Sequence, residues 1–186
     1  MPSREDALNL LKEYNKSEAL IEHGLQVEAC MRYFAREAGE DEEKWGIVGL
    51  LHDLDYEMYP NEHCFKAAQI MQEAGFEQEI IRAMMSHAWG ICTDVEPKSL
   101  MEKTLYAVDE LSGLVNACVL VRPSKSAKDL SVKSVKKKFK SKNFAAGVDR
   151  DVVSKGADML GLELGELIEK VILAMREYEE NKDNIL

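Results

Sequence analysis

The chain has 186 residues, 46% hydrophobic and 31% charged, with a net charge of −10 at pH 7. That length buries one sizeable core and is short for two, so a single domain over residues 1–186 is expected. The negative balance argues against nonspecific association with nucleic acid or an anionic membrane. The four cysteines (Cys30, Cys64, Cys92, Cys118) lie far apart and form no CxxC pair, as reduced core cysteines of a cytosolic protein do. Met-Pro-Ser-Arg-Glu-Asp at the N-terminus has no signal-peptide pattern, and the longest uncharged stretch, Leu111 to Val121, is too short to span a bilayer. A cytoplasmic, soluble protein is expected.

Helical patterns fill the chain in order. Residues 4–14 form a short amphipathic segment with Leu8 and Leu11 on one side. Ser17 suits an N-cap and Gly39 a C-terminal stop for a helix over 18–38, whose apolar face is Leu20, Val27, Met31 and Phe34, with His23 on that face. Asp41 caps a helix over about 42–53 that carries Trp45, Val48 and Leu51 and ends at His52-Asp53. Tyr56 to Pro60 reads as a loop. Asn61 then caps a helix to about Ala74, with His63 in its first turn, and Gly75 ends it. A helix over 77–86 follows, and His87-Ala88-Trp89-Gly90 begins an irregular stretch.

Pro97 suits the first turn of a helix to about Val121, where Asp109 sits among Leu105, Val108, Ser112 and Val115. From Arg122 to Lys142 nine Lys or Arg stand against the single acid Asp129, a local charge of +8. Helices near 131–140, from the Asp149 cap to Leu160, and over about 163–180 complete the chain. No strand, repeat or low-complexity linker stands out, so the fold class is all-α.

The residues that can carry chemistry begin at Ile47-Val48-Gly49-Leu50-Leu51. This apolar run ends in His52-Asp53, with Asp55 and Glu57 just beyond. Burying that polarity is costly unless something pairs with it, and a metal ion is the simplest partner for adjacent imidazole and carboxylate groups. The chain has only four histidines, His23, His52, His63 and His87, each on or next to a helix with an apolar face. Asp109 needs a partner for the same reason. Inward positions on five helices fit one polar site better than five.

In order and spacing, His23, His52-Asp53 and Asp109 resemble the pattern of the HD-domain superfamily of metal-dependent phosphohydrolases. His63 and His87 fall where two-metal members carry further histidines. The resemblance covers about residues 18–120 and implies an HD core there, with a basic segment at 122–142 and C-terminal helices at about 149–181 packing on it. The chain is also similar to a small group of HD-superfamily proteins that carry His-Asp-Leu-Asp-Tyr-Glu and Val-Arg-Pro-Ser-Lys segments and are known only as predicted hydrolases. Two departures stand out. His87-Ala88 replaces the His-His pair of many two-metal members. Tyr56 stands where some members that cleave mononucleotides have Glu and those that cleave cyclic dinucleotides have Lys.

The resemblance implies one or two divalent transition metal ions (Fe, Mn, Co, Ni or Zn). His23, His52 and Asp109 would hold the first, His63 and His87 the second, and Asp53 would bridge them. The implied reaction is hydrolysis of a phosphomonoester or phosphoanhydride of a nucleotide-like small molecule by metal-bound water. Asp55 and Glu57 are close enough in sequence to act as general base or as orienting carboxylates. Arg122, Lys125, Lys128 and Lys133 could arch over the site and hold phosphate oxygens, and Tyr56 and Trp89 could stack on a base. Little aromatic interleaving in the basic segment argues against nucleic acid as a partner. A homo-oligomer stays open. The competing expectation is a regulatory, nucleotide-sensing HD domain with little or no turnover.

Overall fold

A computed structural model describes residues 1–185. Its elements are α1 (Arg4–Tyr14), α2 (Glu18–Ala38), α3 (Glu42–Leu51), a single 3₁₀ turn (Pro60–Glu62), α4 (Phe65–Glu73), α5 (Gln78–Ser86), α6 (Leu100–Leu120), α7 (Val132–Lys140), α8 (Arg150–Leu160) and α9 (Leu164–Ile185). Among the described residues there is no strand beyond an isolated Trp89–Thr93 bridge, so the fold is all-α. No helix among them is long and apolar enough to cross a membrane.

The caps explain most boundaries. Ser3, Ser17, Asp41, Ser99, Ser131 and Asp149 each accept a backbone N–H from the first turn of the helix they precede. Gly39 and Gly161 stop α2 and α8 at φ +71° and +66°. Two expected starts differ. Pro97 lies outside α6 because the capping box of Ser99 and Glu102 sets the start three residues later, at Leu100. The expected helix from Asn61 is broken: Cys64 takes φ +72°, so His63 stands in a kink between the 3₁₀ turn and α4.

Helix α2 packs against α3, α6 and α9, and α6 packs against α2, α5, α7, α8 and α9. Val27 and Met31, then Ile47, Val48, Leu50 and Leu51, then Leu105, Val108, Leu111, Leu114 and Val115 are fully buried at these contacts. Two glycines permit the close approaches. A Cβ at Gly49 would lie 2.8 Å from Met31 Cγ and 2.9 Å from the Val27 carbonyl oxygen, and one at Gly156 would lie 2.5 Å from Ala107 Cα. The turn after α3 is clamped from outside: Asn15 Nδ2 donates to the Leu54 carbonyl at 2.8 Å, and Glu57 accepts the Lys16 and Ser17 N–H groups. Cys30, Cys64 and Cys118 are buried free thiols, whereas Cys92 is exposed.

Candidate metal centre

Five segments bring the four histidines and two aspartates together. His23 comes from α2, His52 and Asp53 from the end of α3, His63 from the kink before α4, His87 from the end of α5 and Asp109 from the middle of α6. Each helix end fixes a ring. His52 Nδ1 donates to the Gly49 carbonyl at 2.7 Å, and His87 Nδ1 to the Met84 carbonyl at 2.5 Å. Both carbonyls lie in the last turn of their helix, and that of Met84 also accepts the His87 backbone N–H at 3.3 Å. His63 Nδ1 lies 2.7 Å from Asp55 Oδ1. A carbonyl or carboxylate oxygen only accepts, so Nδ1 carries the proton in all three rings and a neutral ring turns its bare Nε2 inward.

With His23 added, the Nε2 atoms meet in two pairs. His23 and His52 Nε2 are 3.1 Å apart, and His63 and His87 Nε2 are 3.2 Å apart. Asp109 Oδ1 completes the first set, at 3.0 Å from His23 and 3.2 Å from His52. Asp53 lies between the sets: Oδ2 is 3.2 Å from His52 and 3.7 Å from His23, while Oδ1 is 3.4 Å from both His63 and His87. The bare Nε2 atoms of His63 and His87 repel at such a distance unless a proton or a cation lies between them, whereas His23 Nε2 can donate a proton to Asp109 Oδ1 when no cation is bound. Ligands held ~2.0–2.2 Å from a common ion stand about 3 Å apart, so the donor sets fit a divalent cation on each side of Asp53.

Without a cation, protons take its place. Burial pulls His52 down, but the carboxylates of Asp53 and Asp109 outweigh it and hold the imidazole well above its ordinary value. At His87 burial also pulls down, and the hydrogen bond to Asp53 prevails, so it too is raised. Burial would raise Asp53 and Asp109, but the charge on His52 keeps both well below the usual carboxylate range. A metal ion held here would displace the protons on His52 and His87.

The cluster opens into a cleft of about 380 Å³ lined also by Tyr56, Ala88, Ile91, Cys92, Glu110, Gly113, Val148 and Val152. No Lys or Arg lines it, while Asp53, Asp109 and Glu110 do. Burial, then the neighbouring Asp109 charge, raises Glu110, whose Oε2 accepts the Asp149 N–H at 3.0 Å. Tyr56 stands edge-on to His63, with ring centroids 5.3 Å apart.

The other residues singled out in the sequence go elsewhere. Asp55 is fully buried and does not line the cleft. Its Oδ1 faces the His63 Nδ1–H and its Oδ2 accepts the Ala67 N–H at 2.8 Å, the arrangement of an orienting carboxylate rather than of a base. Glu57 is spent on the Lys16 and Ser17 N–H groups at 2.7 and 3.0 Å, outside the cleft, because the turn after α3 aims it at the α1–α2 connection. Nor do Arg122, Lys125, Lys128 and Lys133 arch over the site. The end of α6, which Arg122 follows, lies roughly 18 Å along the helix axis from Asp109, and none of the four lines the cleft. Arg122 pairs with Asp129 at 2.9 Å, Lys125 donates to the Leu120 carbonyl, Lys128 is exposed, and Lys133 lines a separate groove on α7. Trp89 packs on Tyr106 and beneath Lys155, away from the cleft lining. Glu110, Val148 and Val152 carry no motif. Only the adjacency of Glu110 to Asp109 could have marked it, and nothing marked the α8 wall.

Residues 20–114 match the family model described as HD domain. Among curated proteins, the chain is 31% identical over 101 residues to Ribonuclease Y of Oleidesulfovibrio alaskensis, covering 52% of this chain and 18% of that protein. It is 30% identical over 137 residues to Ribonuclease Y of Nitratidesulfovibrio vulgaris, covering 72% of this chain and 24% of that protein. The chain thus spans less than a quarter of the length of these relatives. No solved structure matches.

Proposed function

The chain belongs to the HD-domain family, and on that premise we propose that it is a metal-dependent phosphohydrolase acting on a phosphomonoester or phosphoanhydride of a nucleotide-like small molecule. The observation that carries the reading is the shared carboxylate. One oxygen of Asp53 faces the His23–His52 pair and the other the His63–His87 pair. A cleft with three carboxylates and no Lys or Arg repels a phosphate on its own, so the charge that draws substrate in must come from bound cations. His23, His52 and Asp109 would hold one ion, His63 and His87 the other, with Asp53 between. Such ions neutralise phosphate oxygens and acidify bound water.

The chain's own groups do the rest. The Gly49 and Met84 carbonyls and Asp55 hold the Nδ1 protons of three histidines, which keeps the three Nε2 lone pairs free for the ions. Asp53 and Asp109 are committed to the histidines, so Glu110 is the cleft carboxylate left to move a proton to the leaving oxygen. Tyr56, Ile91, Val148 and Val152 wall the cleft and limit what enters.

A second reading takes RNA as substrate, because both relatives named above are ribonucleases. One feature favours it: Lys133, Lys136, Lys137 and Lys140 line a groove on α7, and none makes an ion pair with a carboxylate among the described residues. Arg150 ties the end of α7 to the cleft wall by donating to the Phe139 and Val148 carbonyls.

The test is hydrolysis of a generic phosphate ester, a nucleotide panel and single-stranded RNA by protein loaded with manganese, iron or zinc. Turnover of an ester or nucleotide that is lost in His52→Ala supports the main reading. RNA cleavage that weakens in Lys136→Glu/Lys137→Glu, with no ester turnover, selects the second. Stoichiometric metal with no turnover of any substrate would leave the sensing domain as the account.

A further inference from the structure

The half of the centre built on His63 and His87 contains a donor that the reading above leaves unused. Cys64 Sγ lies with one ring nitrogen of His63 and one of His87 in a group whose atoms are all within 4.8 Å of one another. The side chain is fully buried and the thiol is in no disulfide. A buried cysteine usually behaves as a small apolar residue packed among others of its kind. This one belongs to the core but also stands beside the His63 and His87 imidazoles; burial first, then the Asp55 charge, raises its thiol, so it stays protonated until a cation displaces the proton. Its backbone is also unusual. Cys64 holds φ +72° and ψ −43°, a conformation that β-carbon residues rarely adopt, at the N-cap of α4, where its side chain accepts no N–H. The kink puts His63 and Cys64 on the same side of the centre, although the two residues are adjacent in sequence. A thiolate there would also face the positive end of the nine-residue helix α4.

We propose that Cys64 Sγ is a thiolate ligand of the half-site formed by His63, His87 and Asp53. The proposal rests on the metal-centre reading above. Binding forms one metal–sulfur bond and releases the Cys64 thiol proton to solvent, with no change of oxidation state. It makes the two halves of the centre chemically unequal. The His23, His52 and Asp109 half offers only nitrogen and oxygen, whereas the other offers nitrogen, oxygen and sulfur. The sulfur-bearing half therefore favours zinc, cobalt or iron over manganese or magnesium.

The test uses the full chain, stripped of metal with a chelator and titrated with cobalt(II), with bound cobalt counted by elemental analysis. The expected result is a near-ultraviolet thiolate-to-cobalt charge-transfer band that saturates in the wild type. The band is absent in Cys64→Ser and retained in Cys92→Ser, whose thiol lines the open cleft. Stoichiometric cobalt without the band, or a band lost only in Cys92→Ser, overturns the proposal while leaving the metal centre standing. Failure of cobalt to bind at all overturns the metal centre, and this proposal with it. Cobalt-edge X-ray absorption on the unsubstituted chain gives the answer even where Cys64→Ser does not fold. A sulfur neighbour at about 2.3 Å is expected, and a shell of nitrogen and oxygen alone refutes it.

Discussion

Replacing Asp55 by Asn isolates one half of the centre. Asp55 is fully buried and its two oxygens serve two donors, the His63 Nδ1–H at 2.7 Å and the Ala67 N–H at 2.8 Å. A carboxamide keeps one acceptor and turns an NH₂ group toward the other donor. If the oxygen stays on Ala67, the NH₂ meets Nδ1 of His63. The ring then shifts its proton to Nε2, where the metal lone pair was. If the oxygen stays on His63, the first turn of α4 loses an N–H partner, at a cost of about 1–3 kcal/mol. Losing the partner that orients a ligating histidine typically lowers metal affinity by roughly 10–100-fold. The effect should fall on one half only, because the Asp55 carboxylate hydrogen-bonds to His63 and Ala67 and not to His23, His52 or Asp109. Calorimetric titration of stripped Asp55→Asn with zinc should show one strong site nearly unchanged and one weakened by that factor. Two unchanged sites, or two sites weakened equally, would refute the assigned role of Asp55.

Gly49→Ala forces a Cβ to within 2.8 Å of Met31 Cγ and 2.9 Å of the Val27 carbonyl oxygen, and it should destabilise the fold by about 1–3 kcal/mol, read as a lower urea midpoint. Because Gly49 O also receives His52 Nδ1–H, metal affinity should fall with it. Metal uptake should release protons at neutral pH, since His52 and His87 are raised in the metal-free protein, and affinity should rise by roughly tenfold per pH unit for each proton displaced. The linkage to folding has the opposite sign. The stability that those protonated histidines contribute to the metal-free protein is fully present below the ordinary imidazole value and is lost as pH rises through their raised values. Denaturant titrations of stripped protein across that range check it. Glu57→Gln should leave turnover within a few-fold, since the carboxamide oxygen can still accept from Lys16 and Ser17, and a loss as large as that of His52→Ala would mean that Glu57 reaches the reacting groups after all.

The helices and the ligand-type residues were legible in the sequence for definite reasons. Caps such as Ser17, Asp41 and Asp149 act locally, so the residues themselves announce the boundaries. The polar residues stranded on apolar faces announce a common partner, and the structure brings all six into one cluster. What failed depends on distance and direction. The kink at Cys64 overrides a good helix pattern, because His63 must turn between Asp55 and His87. Glu57 is only four residues from Asp53 but leaves the turn on the opposite side. The start of the basic segment is close to Asp109 in sequence, yet an uninterrupted helix carries Arg122 away from it. The Val148 and Val152 wall comes from a helix whose apolar pattern reads as ordinary core.

The proposed chemistry depends on Asp53 being shared between two metal ions. Anomalous scattering from crystals grown with zinc or manganese tests it directly. Two peaks are expected, one against His23, His52 and Asp109 and one against His63 and His87, with one oxygen of Asp53 bound to each. A single peak with His63 and His87 unbound, or no peak within the cluster, would contradict it.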